Sequence, residues 1–91
     1  MTTARTDRLA AAEFGKRVRA ARENVGLTQE SLAERIGSHR TFPGAIERGE
    51  VGPTLTSIIR LAAALEVDPS VLVRGIKPAG RRGTARPRRR A

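Results

Sequence analysis

The sequence predicts an all-α fold, five short helices around a single core, and three observations carry that expectation. Apolar residues recur at spacings of three and four, the repeat of one helical face. Residues that start and stop helices bracket short segments: Thr28 with Gly37, and Asp68-Pro69 with Gly75. No segment alternates apolar and polar β-branched residues with the period of two that a half-buried strand needs.

The first helix is expected over Arg8 to Asn24. Ala11, Phe14, Val18, Ala21 and then Val25 share one stripe, and arginines fill the other faces. Thr6 or Asp7 would cap its start, and Gly26 lies where a left-handed residue would end it. QESLAERI forms the second helix, with Thr28 as N-cap, Glu30 in the first turn and Gly37 as its stop. Leu32 and Ile36 lie one turn apart with Ala33 beside them, so this helix exists only by packing on a neighbour. A third segment, HRTFPGAIERGE, ends at Gly49 and carries Pro43 and Gly44, the two poorest helix formers, side by side. Leu55, Ile58, Ile59, Ala62 and Leu65 then describe a fourth helix with a broad buried face, the expected centre of the core. Asp68 as N-cap and Pro69 at the first helical position open a short fifth helix bearing Val71 and Leu72.

At 91 residues the chain supports one small domain. It holds no cysteine, so stability must come from packed apolar faces. No stretch approaches the roughly 18 apolar residues of a membrane span, and MTTARTDRL lacks a signal peptide's apolar run. A cytoplasmic protein with no membrane partner is expected. The domain is placed at residues 6–76, with 1–5 and the Gly/Pro/Arg-rich 77–91 read as disordered flanks. Net charge is +9, and Lys77, Arg81, Arg82, Arg86, Arg88, Arg89 and Arg90 hold seven of those charges, against eleven cations and nine acids in residues 1–76. Such an excess points to a polyanionic partner, with nucleic acid ahead of membrane. A single histidine gives little support to a histidine-built metal site or a nucleophile-histidine pair. No cofactor, metal or enzymatic activity is expected.

Ala33, Gly37 and Ile46 have the spacing that two steeply crossing helices need. A small side chain allows close approach, a glycine turns the chain, and apolar residues lock the pair onto the domain. FGKRVRAARENVGLTQESLAERIG followed by AIERGEVGPTLTSIIRLAAALEV resembles the phage-repressor-like helix-turn-helix family, also called XRE or Cro-like. The resemblance covers about residues 13 to 74, with the helix-turn-helix at about 28–48, and implies a lambda-repressor-like DNA-binding domain. It also implies that the second helix crosses the DNA backbone while the third enters the major groove. Base contacts are then expected from Arg40, Thr41, Gly44 and Ala45. Arg40 suits guanine O6 and N7, and Thr41 a thymine methyl or a phosphate. Backbone contacts are expected from Thr28, Gln29, His39, Arg48 and Thr54, with His39 alternatively capping. Gln29 reads equally as an ordinary first-turn polar residue. The family pairs an arginine late in helix one with a glutamate of helix three, here Arg22 and Glu47. Pro43 and Glu66 depart from the family pattern, which has a larger apolar residue and a glycine there.

Placed in that register, Pro43 falls early in the third helix. Either His39 caps and Pro43 costs one hydrogen bond, or Thr41 caps and Phe42 and Pro43 open a helix regular over about Pro43 to Arg48. The second is favoured, because a residue before proline avoids the helical region and an early proline is tolerated.

The function expected from the resemblance is a sequence-specific transcriptional regulator that binds a pseudo-palindromic operator in double-stranded DNA as a homodimer, in the nucleoid. Val71, Leu72, Val73 and Ile76 are candidates for the dimer seam, or they only close the core. With no ligand-sensing domain beside it, regulation would come from concentration, a small protein partner or competition at the operator. Two alternatives stand: an antitoxin-type interaction module with autoregulatory DNA binding, and a non-specific nucleoid-type binder dominated by the arginine tail.

Overall fold

A computed structural model describes residues 3–77. Five helices follow in order: α1 Thr3–Asn24, α2 Gln29–Ile36, α3 Phe42–Glu47, α4 Leu55–Leu65 and α5 Pro69–Val73. No strand occurs among the described residues. α1 packs against α3, α4 and α5, while α2 packs against α3 and α4. The core sits where these faces meet. Phe14 and Val18 of α1, Leu32 and Ile36 of α2, Ile46 of α3, Leu61, Ala62 and Leu65 of α4 and Leu72 of α5 are buried together.

Each boundary has a local cause. Thr28 and Ser31 form a capping box: the Ser31 amide donates to Thr28 Oγ1 at 3.0 Å, and the Thr28 amide donates to Ser31 Oγ at 2.9 Å. That satisfies two donors which the first turn of α2 leaves free. Gly37, at φ 71°, closes α2 in the left-handed region, where a side chain would add strain. Thr54 Oγ1 accepts from the Ser57 amide at 3.1 Å at the start of α4. Asp68 Oδ1 accepts from the Ser70 amide at 2.8 Å at the start of α5, with Pro69 behind it. That hydrogen bond holds the Asp68 carboxyl below the usual carboxylate range.

At two glycines the backbones of α1 and the end of α3 approach closely. A Cβ on Gly15 would collide with the carbonyl oxygen of Ile46, and one on Gly49 would lie 2.8 Å from Ala12 Cα. α5 is tied back to α1 by a hydrogen bond from Arg17 Nη1 to the Arg74 carbonyl.

Three expectations need correction. α1 begins at Thr3, so its first turns run through the segment read as a flank, and the helix passes Thr6 and Asp7 rather than starting there. Leu55 and Ile59 are not core residues: they are 72% and 52% exposed. At roughly 100° per residue, Ile58, Leu61, Ala62 and Leu65 define the buried face, and Leu55 and Ile59 fall to one side of it. Leu72, expected at a dimer seam, is fully buried in the core, because α5 closes over α1 and α4 with that side chain. Glu66 ends α4 at φ 63°, the only non-glycine with positive φ among the described residues. The tail lies outside the described residues except for Lys77.

Candidate nucleic-acid interface

The starts of α2 and α3 come together because both helices are short and joined by a tight turn, which brings Gln29 and Glu30 beside Arg40, Thr41, Gly44 and Arg48. α3 starts at Phe42 with Pro43 in its first turn, which matches the favoured geometry in where the helix opens but not in its cap: Phe42 is helical despite the proline that follows it, and Thr41 lies in the right-handed helical region. The Thr41 hydroxyl makes no cap hydrogen bond to the helix. The turn is held instead by His39, whose Nδ1 accepts from the Thr41 amide at 3.2 Å and lies 2.8 Å from Thr41 Oγ1. Phe42 donates its amide to the His39 carbonyl at 3.0 Å. His39 is thus a capping side chain.

Behind the cleft lies a partly buried ionic network. Arg22 Nε donates to Glu47 Oε2 at 2.6 Å and Nη2 to Oε1 at 3.1 Å. The remaining nitrogen, Nη1, donates to the Leu27 carbonyl at 2.8 Å. Side-chain exposure is 13% for Arg22 and 4% for Glu47. The hydrogen bond to Glu47 raises the Arg22 pKa further above its ordinary value, outweighing the opposing effect of burial. Gln29 Nε2 adds a third donor to Glu47 Oε1 at 3.0 Å. One carboxylate therefore ties together α1, α2 and the end of α3.

In front of that network an open cleft is lined by Gln29, Glu30, Arg40, Thr41, Gly44 and Arg48. Arg40 and Thr41 stand exposed on it, and none of the ion pairs among the described residues engages Arg40. Arg48 is also exposed but is held by Glu50, with Nε to Oε2 at 2.7 Å and Nη2 to Oε1 at 3.2 Å. Their hydrogen bond raises the Arg48 pKa and lowers that of Glu50. The cleft offers the guanidinium groups of Arg40 and Arg48, the Thr41 hydroxyl and the Gln29 side-chain amide beside one carboxylate, Glu30, and the guanidinium groups suit phosphate and base edges.

The expected contact residues do not all face outward alike. Gly44 is buried, and a Cβ built there would lie 3.0 Å from Arg48 Nη1 and 3.2 Å from Gln29 Oε1. Those two side chains cover it, so the surface at this position is theirs. Ala45 is half-buried. Thr28 and Thr54 are exposed with their hydroxyls engaged in caps. Glu50 as the partner of Arg48, and Gln29 as a donor to Glu47, were not anticipated. The R-G-E spacing of residues 48–50 is the only sequence signal for the first. Of the candidate seam, Val71 and Val73 are 39% and 40% exposed and Ile76 packs partly on the core. No group of metal-ligating side chains occurs among the described residues, nor is any described helix long and apolar enough to cross a membrane.

Comparison with known proteins places this architecture. A family model described as Helix-turn-helix matches residues 18–72. The control protein C.SmaI of Serratia marcescens is 45% identical over 66 residues, which span 70% of this chain and 79% of that protein. Among solved structures, the restriction-modification controller protein C.AhdI from Aeromonas hydrophila superposes with a TM-score of 0.66 at 40% identity, covering 68% of this chain and 94% of that one. The P22 c2 repressor, solved in complex with a synthetic operator, gives a TM-score of 0.64 at 29% identity over 68% of this chain and 94% of its own. With the five-helix order, the α2–α3 turn and the matched span agreeing, the chain belongs to the XRE family of helix-turn-helix DNA-binding transcription regulators.

Proposed function

We propose that the protein is a sequence-specific regulator that binds a pseudo-palindromic operator as a homodimer, with α3 in the major groove. The exposed Arg40 guanidinium beside Thr41 on the open cleft carries this reading, since a free arginine at a helix start can donate two parallel bonds to guanine O6 and N7. Arg48, on the cleft, and the exposed Thr54 at the start of α4 take the backbone role. The names of the similar proteins, a control protein and a repressor with its operator, point the same way. Selection of bound fragments from a random pool tests it, returning operator, symmetry and half-site spacing together. A specificity ratio of about 10³ or more over random DNA at about 150 mM salt is expected. A ratio near one favours the non-specific nucleoid-type reading.

A second copy of the chain is assigned to the exposed apolar side chains, now Leu55 and Ile59 with Val71 and Val73 in place of Leu72. One module this small buries too little DNA-facing surface for strong discrimination, and two half-sites supply the remainder. Light scattering at tens of micromolar is expected to give a dimer that Ile59→Glu dissociates. A monomeric wild type would remove the homodimer.

A further inference from the structure

We propose that His39 sets the hydrogen-bond polarity of Thr41, making its hydroxyl an acceptor that selects a base bearing an exocyclic amino group, adenine or cytosine. The inference rests on the reading of Thr41 as facing base edges. It starts from an N–H that has no choice of role. The Thr41 amide only donates, and its acceptor is His39 Nδ1 at 3.2 Å. On that contact we assign the hydrogen of the neutral ring to Nε2, with the single Nδ1 lone pair shared between the amide and the hydroxyl of Thr41. The 2.8 Å contact between that same Nδ1 and Thr41 Oγ1 is then attractive only with the hydroxyl donating. A threonine hydroxyl has one hydrogen and two lone pairs. With the hydrogen directed to His39, the lone pairs are what Thr41 offers to the cleft.

Placement separates the two roles. Thr41 lines the cleft with Arg40, Gln29 and Arg48, whereas His39 lines a different concavity with Ile36, Phe42, Ser57 and Arg60. His39 is thus a positioning residue acting through Thr41. In the major groove the donors are adenine N6 and cytosine N4, and guanine and thymine present acceptors. Phosphate oxygens only accept, so this hydroxyl is a poor phosphate ligand. Arg40, a donor only, and Thr41, an acceptor only, then make adjacent and opposite demands on the operator.

Two measurements test the proposal. In the free protein the one histidine gives an unambiguous nitrogen NMR spectrum, expected to show Nδ1 unprotonated and Nε2 protonated in the neutral ring. A protonated Nδ1 in the neutral ring overturns the proposal irrespective of DNA. Selection from a random pool is then run on wild type, Thr41→Val, His39→Ala and His39→Asn. Wild type is expected to favour adenine or cytosine by about five-fold at one position per half-site, the discrimination of a single net hydrogen bond, and Thr41→Val to lose it. His39→Ala should relax the same position while Arg40-dependent positions persist. His39→Asn should restore the preference, because an asparagine oxygen accepts from the amide two residues on. Guanine or thymine at the Thr41-dependent position, or His39→Asn behaving like His39→Ala, overturns the proposal alone. A wild type that enriches no sequence overturns the regulator reading and this proposal with it.

Discussion

Glu47 of α3 grips Arg22 of α1 through two hydrogen bonds, at 2.6 and 3.1 Å, with 4% of the Glu47 side chain exposed. Removing one partner strands the other charge away from water. Arg22→Ala or Glu47→Ala is expected to cost about 3 kcal/mol of stability, measured by urea denaturation. The double variant should cost clearly less than the two losses added together, because neither charge is then left alone.

Arg40 is exposed, so Arg40→Ala should leave stability within about 0.5 kcal/mol of wild type. Its effect belongs to recognition: affinity for a selected operator is expected to fall by about 1–3 kcal/mol, with random DNA nearly unaffected. Deleting residues 77–91, which removes seven cations, should instead weaken both DNAs alike and flatten the dependence of log affinity on log salt. Binding titrations at several salt concentrations distinguish the two behaviours. Equal loss on both DNAs for Arg40→Ala would mark it as a phosphate contact.

Gly44→Ala separates stability from binding in the opposite sense. The new methyl meets Arg48 Nη1 and Gln29 Oε1, both ends of flexible side chains, while the helix gains about 0.5–1 kcal/mol from losing a glycine. The variant is expected to melt slightly higher yet bind DNA several-fold more weakly, because two cleft side chains are displaced. Unchanged DNA affinity would show that neither matters in that position.

Asp68 gives the chain an acid-sensitive helix start. Its folded-state pKa is lowered by the Ser70 amide, so its contribution is complete above the unfolded value of about 3.9 and is lost as pH falls through the lower folded one. Thermal melts across pH 2–7 are expected to show Asp68→Asn converging on wild type at the acid end of that range. A constant gap at all pH values would contradict the assignment.

Glu66 caps α4 at φ 63°, where a side chain adds strain that glycine avoids. Its ion pair with Arg35, 3.9 Å between exposed groups, offsets little of that. Glu66→Gly is expected to stabilise the fold by about 1 kcal/mol, read as a higher urea midpoint.

Much of this was legible in the residues. Caps at Thr28 and Asp68 and the stop at Gly37 are local chemistry, and local chemistry is written in adjacent positions. Pro43 could be placed in the first turn because proline restricts its own φ and the residue before it. The assignment of α4 failed where tertiary geometry decides: an apolar set wider than one face tells nothing of which edge stays wet, and Leu55 and Ile59 are that edge. Leu72 and Val71 are neighbours in sequence, and only the angle at which α5 closes sends one inward. Likewise, Gly44 was expected to contact bases, and the side chains that cover it, Gln29 and Arg48, come from fifteen residues before and four after.

At Gly15 and Gly49 the long first helix and the end of α3 approach so closely that a Cβ at either would meet the backbone of Ile46 or of Ala12. A binding element that orders only on arrival gives up part of its affinity to that ordering; this one is finished before it meets a duplex. Association is therefore expected to run at the pace of diffusional encounter, quickened by positive charge and slowed by salt, with no slow isomerisation following it.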